Sequence, residues 1–179
     1  MKAGRAFPGV VLVGFMGSGK SSVGREVARR VRAEFVDVDE RIEGAAGKAI
    51  SELFAEEGEP AFRAREKAAL REALSVPGRV VATGGGAFMD EGNRRRLKAY
   101  APVVYLEASP EAVLARLSGD SGRPLLRGGD RERIVRELLA RRVQGYREAD
   151  CTVPTDGRTV SEVAERVMEL LQKKEGRPR

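Results

Sequence analysis

Five short apolar runs punctuate the chain. Val10 to Val13 is four apolar residues in a row, and "AEFVDVD", "RVVA", "PVVYLE" and "CTVPT" follow at intervals. Runs this short, rich in β-branched residues and bounded by Gly, Pro or charge, predict buried strands. The stretches between them keep a different period. From Ser18 to Arg32 the apolar positions are Val23, Val27, Ala28 and Val31, one face of a helix. Arg41 to Leu74 is helical in character, with breaks predicted around Gly44–Gly47 and Gly58–Pro60. Asp90 to Ala99 reads as a polar helix, Glu132 to Tyr146 as a long amphipathic one, and Ser161 to Leu171 as a closing one. "ASPEAVLARL" starts a helix at Ser109, an N-cap, with Pro110 in the first turn. "SGDSGRPLLRGGD" is rich in Gly and Arg and predicts a mobile loop.

Strands alternating with helices imply an α/β fold, a parallel sheet covered on both faces. At 179 residues the chain fits one domain with a sizeable core. No apolar run approaches the ~20 residues of a spanning helix. The start, "MKAGRAFPG", lacks the apolar core of a signal peptide. A single cysteine, Cys151, excludes an internal disulfide and any multi-cysteine metal site. These features point to the cytoplasm. The net charge is +6, but the basic residues alternate with Glu instead of clustering, which argues against a polyanion surface. There is no histidine, so histidine acid–base or metal chemistry and every Ser-His-Asp arrangement are excluded.

"GFMGSGKS", Gly14 to Ser21, matches G-x-x-x-x-G-K-[ST] between a predicted strand and a predicted helix. Its glycines, Gly17 and Gly19 among them, free backbone N–H groups at Ser18 and beside it to wrap a phosphate. The helix N-terminus adds positive potential. Lys20 would reach the β- and γ-phosphates and Ser21 would ligate Mg²⁺. The motif therefore implies a nucleoside triphosphate and magnesium, and leaves the acceptor open.

Other segments bear on the acceptor. Asp37 and Asp39 end the predicted second strand, and strand alternation would put both on one face. Two acids at the carboxyl end of a parallel sheet suit one role near a metal and one near an acceptor hydroxyl. Arg63 and Glu66, three apart, share a helix face, and a rigid guanidinium suits a carboxylate. The ordinary reading of that pair alone is a surface ion pair. Arg123 and Arg127 stand among glycines, where a mobile arginine could cover a transferring phosphoryl group. The triplet Gly84–Gly85–Gly86 follows a strand directly and is not followed by Gly-Lys-Ser. That favours close approach of backbone to a ligand over a joint or a second phosphate loop.

Taken in order, "GFMGSGKSSVG", "FVDVDERIE", "ISELFAEEGEPAFRARE", "VVATGGGAF", "VVYLEASPE", "RPLL" and "RRVQGYREAD" resemble the shikimate kinases over nearly the whole chain. The phosphate loop is common to many families; the combination of D-x-D, F-R-x-x-E, G-G-G and R-P-L-L is specific. The resemblance implies a three-layer αβα P-loop kinase of the nucleoside-monophosphate-kinase type, one domain over 1–179. Its parallel sheet would have five strands in the order 2-3-1-4-5. The phosphate loop would be 14–21, a helical acceptor flap about 38–66 and a mobile lid about 118–130. It implies transfer of the γ-phosphate of ATP to the 3-hydroxyl of shikimate in aromatic amino-acid biosynthesis.

By the same resemblance Asp39 would hold the acceptor hydroxyls and is the candidate to take the proton. Asp37 would reach the magnesium through water. Arg63 would grip the carboxylate with Glu66 orienting nearby groups, and Arg142 would be a second clamp. The Gly85 N–H, between Gly84 and Gly86, would face the acceptor. Arg123 would contact the transferring phosphate. Gly17, Ser18, Gly19, Lys20, Ser21 and Ser22 would surround the nucleotide, with Arg116 and the region of Arg158 flanking adenine. The expected partners are shikimate and ATP, with no nucleic acid, no membrane and a monomeric chain. Two positions depart from the pattern: Ser22 stands where Thr is commoner, and "RVQGY" lacks a usual proline near Gln144. Neither displaces Ser21 or Arg142. A gluconate or nucleotide kinase on the same fold is the neighbouring reading, since gluconate is also an anionic polyol. A P-loop switch or nucleic-acid-dependent ATPase is a more distant one, weakened by an aromatic content of 5%.

Overall fold

Branched apolar residues build the centre of the molecule, and alternation sorts them to two faces. The computed structural model describes residues 7–118 and 130–175. Its strands are β1 (Val10–Val13), β2 (Phe35–Asp37), β3 (Val80–Ala82), β4 (Val103–Glu107) and β5 (Cys151–Pro154). They form one parallel sheet in the order β2-β3-β1-β4-β5. Val11, Val13, Val36, Val81, Val103 and Tyr105 point to one layer; Val10, Leu12, Val80, Val104, Leu106 and Val153 point to the other. A strand buried on both faces needs this unbroken apolar run.

The helices divide between the layers according to their apolar stripes. α1 (Lys20–Val31) and α7 (Val160–Glu175) cover one face with Val23, Val27, Val163, Val167 and Leu171. The other face is covered by α2 (Val38–Ala46), α3 (Ile50–Ala73), α4 (Glu91–Tyr100), α5 (Pro110–Leu117) and α6 (Arg131–Tyr146). Ile42, Leu53, Phe62, Leu70, Leu97, Val113, Val135 and Leu139 supply that layer. Burying each such side chain contributes roughly 1.5–3 kcal/mol. Among the described residues no helix is long and apolar enough to cross a membrane.

Caps set where helices begin. Ser109 Oγ accepts from Ala112 N–H, Asp90 from Asn93 N–H, and Asp130 from Glu132 and Arg133 N–H. The predicted second strand is shorter than the pattern implied. It stops at Asp37, whose carboxylate accepts the Asp39 N–H at 3.0 Å and caps α2. Asp39 is thus a first-turn helical residue, and strand alternation does not relate the two acids. The break near Gly47 ends α2, whereas Gly44 lies inside it. α3 kinks at Gly58 (φ 79°, ψ 171°), a conformation open to glycine, just before Pro60.

Candidate active site

The site lies where the strand order reverses around β1, at the carboxyl ends of the strands. There the chain leaves Val13 and wraps into α1. Gly14 sits so close to β4 that a Cβ would fall 2.6 Å from Leu106 O, and Gly17 (φ +74°) and Gly19 (φ +93°) are left-handed. Gly19 is the N-cap of α1 and no side chain caps it, which leaves first-turn N–H groups for an anion. The Lys20 ammonium donates to Phe15 O at 2.9 Å, inside the loop it would serve. Ser18 is buried at the loop's centre and its Oγ has no hydrogen-bond partner. Ser22 faces outward on α1.

Ser21 and Asp37 meet although they stand 16 positions apart: Ser21 Oγ donates to Asp37 Oδ2 at 2.6 Å. Asp37 is almost fully buried. Among the described residues no three carboxylates, cysteines or histidines form a metal cage. Two hard oxygen donors beside a phosphate loop are nevertheless the set that suits magnesium, which takes its remaining ligands from phosphates and water. The residues present therefore fit the ion.

From Ser21 a cavity of about 440 Å³ runs to the flap helices. Asp37, Asp39, Glu40, Glu43 and Glu66 line it together with Arg63 and Arg142. Gly84, Gly85 and Gly86 form part of the wall, and Ile50, Phe54 and Phe62 supply apolar surface, the two phenyl rings 4.4 Å apart. The size suits a small molecule.

Glu66 occupies a position that the helical period reserves for an apolar residue. It falls in the buried stripe Phe62, Glu66, Leu70, Ala73 of α3. Only 2% exposed, it is no surface ion pair. Its Oε2 accepts from Arg63 Nη1 at 2.9 Å. Burial pushes the Glu66 carboxyl above its ordinary range, while Arg63 pulls it back. The other edge of the Arg63 fork, Nε and Nη2, donates to Glu59 at 3.2 and 3.0 Å. One guanidinium is thus held between a buried acid and an exposed one.

The three glycines divide the labour. A Cβ on Gly84 would fall 2.7 Å from Asp39 Oδ1 and 3.0 Å from Glu66 Oε1; on Gly86 it would fall 2.9 Å from Arg63 Nη2. These two glycines give room to the site's own side chains. A Cβ on Gly85 would meet Gly14 O and Met16 N at an ordinary 3.5 Å. Gly85 is instead held through its carbonyl, which accepts from the Tyr146 hydroxyl and, at 3.4 Å, from Arg142 Nη1.

Tyr146 supports the glycine wall from behind, although in the sequence it stands out only as a landmark after Arg142. Its ring is fully buried and stacks on Tyr105 at 5.0 Å, and burial pushes its hydroxyl up to about 12. It therefore stays a neutral donor. Its signal was the α6 stripe Val135, Leu139, Tyr146, which ends on a phenol where the others are aliphatic. Glu59 carried no signal beyond its i,i+4 spacing to Arg63.

Arg116 reaches the phosphate loop from α5, with Nη1 donating to Gly17 O at 3.2 Å. Arg158 is exposed in the turn after β5 and joins the group through its N–H, 3.4 Å from Thr155 O. Arg65 pairs with Glu57 at the surface, away from the cavity lining. The expected lid, with Arg123 and Arg127, lies outside the described residues apart from its ends.

The whole arrangement has close relatives. A family model described as shikimate kinase matches residues 16–172. A shikimate kinase of Stenotrophomonas maltophilia is 46% identical over 156 residues, 87% of each chain. One from Caldanaerobacter subterraneus is 40% identical over 168 residues, covering 94% of this chain and 98% of the relative. The solved structure of shikimate kinase from Acinetobacter baumannii in complex with shikimate superposes with a TM-score of 0.93. It is 39% identical, with 98% of this chain and 99% of that one covered. Phosphate loop, sheet order and the acid–arginine cavity thus occur together in a chain whose likeness to these enzymes runs almost end to end, and it belongs to the shikimate kinase family.

Proposed function

We propose that this chain transfers the γ-phosphoryl group of ATP to the 3-hydroxyl of shikimate. The products are shikimate 3-phosphate and ADP, and the step serves aromatic amino-acid biosynthesis in the cytoplasm. The observation that carries this reading is one cavity lined together by the phosphate-loop Ser21, the acids Asp37 and Asp39 and the arginines Arg63 and Arg142. Shikimate is a small carboxylate with three hydroxyls, and a lining of acids and arginines complements it.

Each residue has a role in this reading. Arg63 and Arg142 hold the carboxylate, and the substrate takes over the edge of Arg63 that Glu59 occupies. Glu66 keeps the guanidinium in plane. Asp39 holds the reacting hydroxyl and receives its proton as the oxygen attacks phosphorus. Lys20 leaves Phe15 O for the β- and γ-phosphates. Ser21 and Asp37 would hold magnesium, which when bound neutralises charge on the phosphates. Gly17, Ser18, Gly19 and Ser22 surround the phosphates, Arg116 and Arg158 flank the adenine, and Arg123 comes from the lid. The reaction asks little covalent work of the protein, so positioning and electrostatics carry the rate. The chain acts as a monomer on small molecules.

Arg63→Ala tests the acceptor end. Calorimetry should show shikimate affinity reduced by roughly ten- to a hundred-fold, the loss of about 1.5–3 kcal/mol of charge-assisted hydrogen bonding. ATP affinity should hold. Equal losses for both ligands would remove Arg63 from the acceptor site.

A further inference from the structure

Thr155 follows β5 and is 2% exposed, yet its hydroxyl is fully engaged. Thr155 Oγ1 donates to Glu107 O at 3.0 Å and accepts from Arg116 Nη1 at 3.0 Å. Its carbonyl accepts from Arg116 Nη2 at 2.9 Å, and its N–H donates to Glu107 O at 2.8 Å. The same Arg116 Nη1 also donates to Gly17 O at 3.2 Å. A continuous chain of hydrogen bonds therefore runs from the end of β4, through Thr155 and Arg116, to the phosphate loop.

The geometry points to Thr155 as a positioning residue for the nucleotide, an inference that rests on reading Gly14–Ser21 as the nucleotide site. It acts in two ways. First, three contacts from two guanidinium nitrogens fix the plane of Arg116, whose side chain is otherwise exposed and presents a flat face to a purine. Second, the Gly17 carbonyl is tied to Arg116, and the Ser18 N–H of the same planar peptide donates to Phe15 O at 3.1 Å. Gly17 is a left-handed glycine, so its flanking peptides turn over easily. A carbonyl swung into the loop would face phosphate oxygens and repel them. Arg116 holds it outward, and Thr155 holds Arg116.

Thr155→Val keeps the side-chain shape and removes the hydroxyl. Glu107 O stays paired with the backbone N–H of residue 155, so no acceptor is orphaned. ADP affinity by calorimetry, and KM for ATP, should weaken about three- to ten-fold, the scale of one hydrogen bond to a charged group. Affinity for shikimate should hold. Thr155→Ser should restore nucleotide affinity. In an Arg116→Met background, Thr155→Val should add no further loss.

Unchanged ADP affinity in Thr155→Val would overturn the inference, and so would equal weakening of both substrates or multiplying losses in the double variant. Should Thr155→Val fail to fold, Arg116→Met, altered at an exposed position, still decides: full ADP affinity there would overturn it too. An unaltered protein that binds no ADP would overturn the nucleotide reading, and this inference with it.

Discussion

Gly86 has a side chain's worth of space on one side, and Arg63 fills it. Alanine there would place its Cβ 2.9 Å from the guanidinium and push the fork off its plane. Gly86→Ala should therefore raise KM for shikimate roughly ten-fold or more, with KM for ATP unchanged. Gly84→Ala should lower turnover, because its Cβ displaces the Asp39 carboxylate. Gly85→Ala meets protein atoms only at ordinary contact distance, so it should fold normally. Any shikimate affinity it loses reports on the substrate. Steady-state kinetics of the three variants ranks them, and equal behaviour of all three would refute this division.

Glu66 makes a separate prediction. Its folded-state carboxyl titrates above the ordinary 4.5, burial being the main cause and Arg63 opposing it. The folded state thus binds the proton more tightly than the unfolded chain. The stability this lends is fully present below 4.5 and is lost as pH rises through the elevated folded value. Glu66→Gln cannot titrate. Its melting temperature relative to the unaltered protein should rise as pH climbs from 4.5 through the elevated folded value, and level off above it. A constant difference across that range would show that Glu66 titrates normally.

At the scale of elements, α6 carries the glycine triplet. Its final residue, Tyr146, donates to Gly85 O while stacked on Tyr105 of β4. Tyr146→Phe keeps the stack and deletes the donor. It should cost about 1 kcal/mol of stability and weaken shikimate more than ATP. Denaturant melts with calorimetry check this; equal weakening of both ligands would make Tyr146 a packing residue alone. Most elements were legible because apolar period and caps agree: Ser109 with Pro110, Asp90 and Asp130 all begin helices. The second strand was misjudged because Asp37 continues an alternating pattern and also caps a helix, and capping prevailed. Phe54 and Phe62 were invisible as pocket wall, since an aromatic on an amphipathic helix looks like core until the helix is placed. Motifs exposed Lys20, Ser21, Asp39, Arg63 and Arg142. The supporting contacts from Glu59, Tyr146 and Thr155 span 4, 61 and 39 residues and leave no pattern that a motif records.

Across the whole molecule, the parallel sheet gathers residues from distant segments at the carboxyl ends of its strands. Ser21 follows β1, Asp37 ends β2, Gly85 follows β3 and Arg142 lies between β4 and β5. The fold alone does not choose the acceptor, because any small anionic polyol suits a cavity of about 440 Å³ lined by both acids and arginines. The most direct test is ADP release from ATP and magnesium with shikimate, gluconate and a nucleoside monophosphate offered in parallel. Turnover with shikimate, at a kcat/KM at least ~100-fold above either alternative, is the predicted result. Comparable or faster turnover with gluconate or the nucleotide would contradict it.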